Sequence, residues 1–277
     1  MYRFRRLIFI ITFLLILTST AHAKILITCS SFPVYDFARE IAGELADIKL
    51  LLRPGIEPHE FEPSTRDIII LNESNIFIYT GSELEHWAEK ISRSLEKTHV
   101  INASQNIELT NNDPHIWMDM QRASQMAENI LAGLLKYDSE NSEIYNGNAQ
   151  KFLNKLSEID SEFMSLARNN NKTLVFAGEF ACNYFIARYG FKYISAYDGE
   201  NEPGIKRIAE IIKFIRENGT KYILADLFGT SQITRSISSE TGTKILIFNT
   251  AHNSSENDSF IEIMRNNLDA LRLALND

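Results

Sequence analysis

Cysteine is scarce in this sequence, and low-complexity linkers and short internal repeats are absent. The 277 residues include only two cysteines, Cys29 and Cys182. Two cysteines in a chain of this size exclude a disulfide-dense secreted scaffold, and we expect two buried thiols rather than one bridge. The chain is long enough to bury a large core in one big domain or in two smaller ones.

Basic residues are outnumbered by acidic ones. The chain has 28 lysines and arginines against 36 aspartates and glutamates, a formal net charge of −8. Three of the arginines lie within residues 1–23, so the rest of the chain carries 25 basic and 36 acidic residues, a formal charge of −11. Nucleic acid and anionic membrane surfaces are poor partners for such a surface, and we expect no nucleic-acid partner.

Only one long apolar run is present, and it lies near the start of the sequence. Residues 1–23, MYRFRRLIFIITFLLILTSTAHA, carry three arginines, an apolar run from Leu7 to Leu17, and the small-residue ending Ala21-His22-Ala23. The run is too short to span ~30 Å of hydrocarbon comfortably. The pattern predicts a signal peptide cleaved after Ala23 and export to the periplasm, and Cys29 lacks the preceding pattern of a lipid-anchoring site.

The rest of the sequence alternates short β-rich runs with amphipathic helical stretches. The predicted strands are Ile25–Cys29, Ile48–Leu52, Ile68–Leu71, Ile76–Thr80, Val100–Asn102, Thr173–Ala177, Tyr193–Ala196, Tyr222–Ala225 and Lys244–Phe248. The predicted helices include Val34–Leu45, Asp119–Leu135, Ile205–Glu217 and Phe260–Leu275. Strands that alternate with helices of ten or more residues indicate parallel sheets and an α/β fold.

One stretch in the middle of the chain has no strand signal. From Ser139 to Asn170 the apolar residues recur at three- and four-residue spacings, which predicts one amphipathic helix of roughly 28 residues and ~40 Å. We therefore predict two α/β lobes, each a parallel-type sheet with flanking helices and its own core, joined by one long rigid helix. The predicted divisions are a signal peptide (1–23), a first lobe (24–137), the connecting helix (138–171) and a second lobe (172–277).

A histidine in a stiff loop follows the second predicted strand. The stretch RPGIEPHEFEP places His59 among Pro54, Pro58 and Pro63, which fix the backbone φ at three points. Ligands of open α/β sheets bind beyond the carboxyl ends of the strands, and a preorganised donor suits a metal ligand. The alternative is a solvated turn, because three glutamates flank the histidine.

A second histidine follows a proline in the stretch DPHIWMD. His115 stands directly before the predicted helix Asp119–Leu135, again behind a strand and loop. Two histidines in Pro-His loops of the same lobe suggest that the two imidazoles converge on one site.

Six stretches in order resemble the motifs of one protein family. RPGIEPHEFEPSTRD, IFIYTGSELEHWAEKI, DPHIWMD, GEFACNYFIARYGF, SETGTKILIF and FIEIMRNNLDALRLAL resemble the solute-binding proteins of zinc and manganese ABC transporters. The resemblance implies two α/β lobes joined by a single long helix, with one divalent metal ion held in the cleft between them. It also implies a monomer that is not an enzyme and whose partner is an ABC transporter permease at the inner membrane.

The family's metal ligands can be carried over by position. His59 and His115 match its two histidine ligands in the first lobe, and Glu179 matches the third, where the family has histidine or glutamate. The fourth is usually an aspartate after the last strand, where this sequence has Asn249. Because a neutral amide oxygen is a weak partner for a divalent ion, we assign His252 as the fourth ligand, against a purely structural role. Asp226 follows a predicted strand and is a lesser candidate.

The ligand set leaves the metal and two other functions open. Three imidazoles and one carboxylate favour zinc over manganese, which takes more oxygen ligands. A secreted metallohydrolase would also use two histidines and a glutamate, although the chain has no HExxH helix. A metal-binding surface adhesin is a further alternative, since proteins of this family sometimes take that role.

Overall fold

The fold consists of two parallel four-stranded sheets with flanking helices. The computed structural model describes residues 24–52, 61–81, 85–109, 113, 115–178, 182–198, 202–226, 231–252 and 254–276. The first sheet contains β1 (Ile25–Cys29), β2 (Ala46–Leu50), β3 (Ile76–Tyr79) and β4 (His99–Asn102), in the order β2-β1-β3-β4. The second contains β5 (Leu174–Phe176), β6 (Tyr193–Ser195), β7 (Tyr222–Ala225) and β8 (Lys244–Ile247), in the order β6-β5-β7-β8. Both lobes thus repeat one topology, and the predicted α/β fold is confirmed.

The described residues include nine α-helices. They are α1 (Phe32–Ala42), α2 (Thr65–Glu73), α3 (His86–Ser92), α4 (Met120–Tyr137), α5 (Ser142–Arg168), α6 (Asn183–Tyr189), α7 (Ile205–Asn218), α8 (Gln232–Thr241) and α9 (Phe260–Asn276). Local signals set their ends. The Asp119 side chain accepts a hydrogen bond from Gln121 N at 2.9 Å, which starts α4 directly after the His115 turn. None of the helices in these described ranges is long and apolar enough to cross a membrane.

The strand predicted at Ile68–Leu71 is wrong, because these residues lie in α2. Ser64 accepts a hydrogen bond from Asp67 N, and the Asp67 carboxylate accepts one from Ser64 N at 2.8 Å, so the two residues form a capping box. Ile69 is 53% exposed, which a buried strand of a parallel sheet would not allow. The first sheet therefore has four strands and not five.

The long helix α5 packs against both lobes. It spans 27 residues, against the roughly 28 predicted, and it buries one face. In its first half, the ring centroid of Phe152 lies 5.1 Å from that of Phe37 in α1. In its second half, the ring centroid of Phe163 lies 5.0 Å from that of Phe185 in α6. The long connecting helix is therefore confirmed, whereas the predicted domain boundaries stay predictions.

The largest hydrophobic core is shared by the two lobes. It includes residues of both sheets, of α5 and of α9, and two smaller clusters lie within single lobes. Each lobe thus has a small cluster of its own, as predicted, but the prediction missed that the largest core is shared between the lobes. The physical reason is that α5 is too apolar on one face to serve as a solvated spacer, so both lobes pack on it.

Candidate metal centre

His115 is buried and held from behind by a carboxylate. Its ring lies at the start of a 3₁₀ turn (Ile116–Met118) and is 4% exposed. Asp113 Oδ1 accepts a hydrogen bond from His115 N at 2.9 Å and lies 2.8 Å from His115 Nδ1. Burial raises the pKa of Asp113, but the hydrogen bonds and charge of His115 outweigh it and hold the pKa below its usual range. An ionised carboxylate only accepts, so Nδ1 carries a proton, and in the neutral form of the ring, which is the form that can bind a metal, the lone pair lies on Nε2.

The Nδ1 atom of His252 is also hydrogen-bonded, in this case to the hydroxyl group of Thr250. The ring of His252 is buried in the loop after β8, and its Nδ1 lies 2.6 Å from Thr250 Oγ1. The Thr250 hydroxyl donates a hydrogen bond to Asp226 Oδ2 at 2.7 Å, and the Thr250 backbone N donates one to the same oxygen at 2.8 Å. Since the single hydroxyl proton goes to Asp226, His252 Nδ1 is the donor to Thr250, and its lone pair also lies on Nε2.

Asn249 forms the turn that leads to His252. Its Oδ1 accepts a hydrogen bond from Ala251 N at 2.7 Å, and Asn267 of α9 bonds both its backbone N and its carbonyl oxygen at 2.8 Å. Ala251 has a φ of +67°, in the left-handed region that L-residues rarely adopt. The Asn249 amide oxygen is therefore engaged in local backbone structure.

The two imidazoles come together although they belong to different lobes. The ring centroids of His115 and His252 are 5.4 Å apart, with the planes at 54°. Two imidazoles bound through nitrogen at ~2.0–2.1 Å to one tetrahedral ion would have centroids roughly 5 Å apart. Trp117 Nε1 donates to Thr250 O at 2.8 Å and joins the two loops beside the rings. The arrangement can therefore offer two neutral imidazole donors to one ion.

His59 and Glu179 lie outside the described residues, and their roles stay predictions. Within the part of the chain that the structure describes, no group of three or more histidine, cysteine, aspartate or glutamate side chains could hold a metal ion. Cys182 and Cys29 are buried thiols and form no disulfide, as predicted.

Sequence reasoning missed the residues that orient the two imidazoles. Asp226 had been a lesser ligand candidate, and in the structure it bonds Thr250 and so supports His252 indirectly. A local signal was available: the orienting residue lies two positions before the histidine in both loops, Asp113 before His115 and Thr250 before His252. Trp117 had no such signal, because its partner lies 133 positions away.

Comparison with known proteins extends along almost the whole chain. The High-affinity zinc uptake system protein ZnuA of Bacillus subtilis is 26% identical over 280 residues, which cover 91% of this chain and 88% of that protein. The Zinc-binding protein AdcA of Streptococcus pyogenes is 27% identical over 91% of this chain, which spans only 56% of that longer protein. The crystal structure of the Zn(II)-bound ZnuA-like domain of Streptococcus pneumoniae AdcA matches with a TM-score of 0.79 and 28% identity, covering 92% of this chain and 100% of that one.

A family model agrees with these likenesses. The model described as ZnuA, "Zinc-uptake complex component A periplasmic", matches residues 27–274. That match takes in both sheets, the long helix and the two histidine loops. The chain therefore belongs to the family of the periplasmic component A of zinc-uptake complexes.

Proposed function

We propose that this protein captures one Zn²⁺ between its lobes and delivers it to the permease of an ABC transporter. The observation that carries the proposal is the pair of buried imidazoles, His115 and His252, whose centroids are 5.4 Å apart. Buried histidines held at Nδ1 are the usual arrangement of imidazole metal ligands. The proposed ligand set is His59, His115, Glu179 and His252.

His252 is preferred to Asn249 as the fourth ligand. The Asn249 amide oxygen already accepts the Ala251 N–H, and the His252 ring lies beside that of His115. A neutral imidazole is a strong ligand for zinc, whereas a neutral amide oxygen contributes no charge and binds weakly.

Zinc is preferred to manganese on two grounds. Three imidazoles and one carboxylate complete the tetrahedral shell that zinc favours, whereas manganese takes more oxygen ligands. The relatives from Bacillus subtilis and Streptococcus are named as zinc-uptake and zinc-binding proteins, and the matched pneumococcal domain holds Zn(II).

Membership of the zinc-uptake family bears on the alternative functions and on the partner of this protein. Its members are components of zinc uptake and not enzymes, so the metallohydrolase considered above is excluded. A component of an uptake complex implies a membrane partner, and we propose a permease. For export we propose cleavage after Ala23, and the burial of Cys29 within β1 supports cleavage ahead of that strand rather than lipid attachment at Cys29.

The proposal is tested by titrating zinc against a competing chelator. Each of His59→Ala, His115→Ala, Glu179→Ala and His252→Ala should weaken zinc binding by more than about 100-fold, above the effect usual for outer-shell residues. Circular dichroism should show an intact fold, because the shared core does not involve the metal.

One variant serves as a control for this titration and one as a comparison. His86 is exposed at the start of α3, so His86→Ala should leave zinc affinity unchanged. Asn249→Ala disturbs the turn that leads to His252 but removes no proposed ligand, so it should weaken zinc binding less than His252→Ala. Unchanged affinity in the ligand variants would place the site elsewhere. Elemental analysis of protein purified from the periplasm, with manganese in excess of zinc as the bound metal, would contradict the choice of zinc.

A further inference from the structure

The loop that carries His252 is attached to the lobe of the first sheet as well as to its own. We call the described residues 249–252 and 254–260, which run from shortly after β8 to the first residue of α9, the His252 segment. Near its start, Thr250 bonds Asp226 of the second lobe and accepts the Trp117 N–H of the first. By sequence the segment belongs to the second lobe, where Asn249 also bonds Asn267 of α9, yet several further contacts lead to the first lobe.

The far end of the His252 segment is held by two side chains of α1. Arg39 donates to the carbonyl oxygens of Glu256 and Asp258, at 2.5 Å each. Asp36 Oδ2 accepts a hydrogen bond from Phe260 N at 2.7 Å, and its other oxygen pairs with Arg39. The contacts join residues more than 200 positions apart in sequence.

These contacts have the chemistry of a firm attachment. Asp36 is 0% exposed, and its carboxylate caps the first N–H of α9, where a negative charge favours the helix dipole. The guanidinium of Arg39 is a planar fork that can bind a carboxylate and backbone carbonyls together, which an ammonium cannot do equally well. If the His252 segment moved away, the buried charge of Asp36 would lose its hydrogen-bond partners, which is unfavourable in free energy. The segment should therefore stay attached.

The backbone of β2 adds a further contact from the first lobe. Leu50 N, at the end of this edge strand, donates to Glu256 Oε1 at 3.3 Å. The His252 segment therefore touches α1, β2 and the Trp117 turn, all of which belong to the lobe that carries His115.

We infer that Asp36 and Arg39 are positioning residues for metal binding, which hold the His252 segment against the first lobe so that His252 stays beside His115. This inference rests on the proposed function, since it requires His252 to bind the metal. Neither residue touches the ion. Loss of the attachment lets the segment move away with its ligand and shortens the lifetime of the bound metal.

A double-mutant cycle tests this inference with zinc alone as the probe. In the full-length mature protein, Arg39→Ala and Asp36→Asn should each increase the zinc dissociation rate, measured by rapid mixing with a chelator, about tenfold. In a His252→Ala background the same substitutions should change zinc dissociation little, because the ligand they position is gone. Arg39→Lys, which keeps the charge but not the fork, should lie between wild type and Arg39→Ala.

A matched control removes another contact of the same helix. Glu40 of α1 pairs with Lys155 of α5 at 2.8 Å, away from the His252 segment. Lys155→Ala should leave the zinc dissociation rate unchanged. The positioning role would be overturned if Lys155→Ala and Arg39→Ala, with equal free energies of unfolding, had the same zinc dissociation rate. It would also be overturned if Arg39→Ala increased that rate by the same factor with and without His252.

The two levels of failure are distinguishable. Unchanged zinc affinity in His252→Ala alone would contradict the proposed ligand set, and the positioning role with it. Weakened affinity in His252→Ala, together with wild-type dissociation in Arg39→Ala and Asp36→Asn, would overturn only the positioning role. Should Asp36→Asn fail to fold, the two Arg39 variants carry the test, since Arg39 is partly exposed.

Discussion

Trp117 and Thr250 are joined by a buried hydrogen bond, 2.8 Å from the indole nitrogen to the carbonyl oxygen. Trp117 is fully buried and Thr250 nearly so. The bond links the turn after His115 to the loop before His252. Each loop therefore contributes to the position of the other's imidazole.

Replacing Trp117 by phenylalanine should weaken both folding and zinc binding. The Thr250 carbonyl would lose its donor in a buried position, which costs about 1–3 kcal/mol of unfolding free energy. Chemical denaturation and zinc competition measure the two effects. Trp87→Phe is the control, because Trp87 Nε1 is buried with no hydrogen-bond partner in the described part of the chain. Equal loss of zinc affinity in both variants would contradict this role for Trp117.

Replacing Asp113 by asparagine should lower zinc affinity by about 10- to 100-fold, the range usual for the partner of a metal-binding histidine. The neutral amide no longer provides the carboxylate that fixes the proton on His115 Nδ1. A chelator competition assay measures the change. Asp47→Asn, at an exposed position, should bind zinc like wild type. Wild-type affinity in Asp113→Asn would show that the carboxylate does not orient a ligand.

Replacing Ala251 by glycine should raise the unfolding free energy of the metal-free protein by about 0.5–1 kcal/mol. The φ of +67° is strained for alanine and not for glycine. The strain that the substitution removes from the folded state exceeds the free-energy cost of the larger unfolded-chain entropy of glycine. Denaturant titration measures it. Asn106→Gly is the comparison, since Asn106 has a φ of +62° but asparagine tolerates that region better, so its gain should be smaller. A less stable Ala251→Gly protein would be the contrary result.

The two cysteines should be unreactive in the native protein. Both are buried, and burial raises the pKa of the Cys29 thiol, which disfavours the nucleophilic thiolate. A thiol reagent should therefore titrate two groups only after denaturation, and a reductant should not change the melting temperature. Fewer than two thiols in the denatured, unreduced protein would reveal a disulfide.

Most of the fold followed from local patterns. The strands Ile25–Cys29 and Tyr222–Ala225 were predicted to the residue, because each is a short apolar run bounded by polar residues. The long helix followed from its three- and four-residue spacing. The error at Ile68–Leu71 came from reading three consecutive isoleucines as β-rich, while the capping box of Ser64 and Asp67 indicated a helix start.

The candidate site depended on contacts that no local pattern contains. The sequence led to His115 through its Pro-His loop and to His252 through the family resemblance, but it did not predict that their rings lie 5.4 Å apart. Their orienting partners were visible in principle, two positions earlier. The bonds from Trp117 to Thr250 and from Asp36 to Phe260 span 133 and 224 positions, and only the packing of the two lobes brings those residues together.

The packing of α9 on α1 affects how the chain can fold. The Phe260 ring lies 5.0 Å from that of Phe37, so a residue late in the sequence closes the core around the first helix. Such a contact must overcome the entropy of a very long loop, which slows folding. In a chain that crosses a membrane in extended form, α4 and α5 could cover most of the apolar face of α1, but the side of Phe37 that meets Phe260 would stay uncovered until α9 arrived. During that interval the nascent first lobe presents the kind of surface that aggregates or binds a holding chaperone.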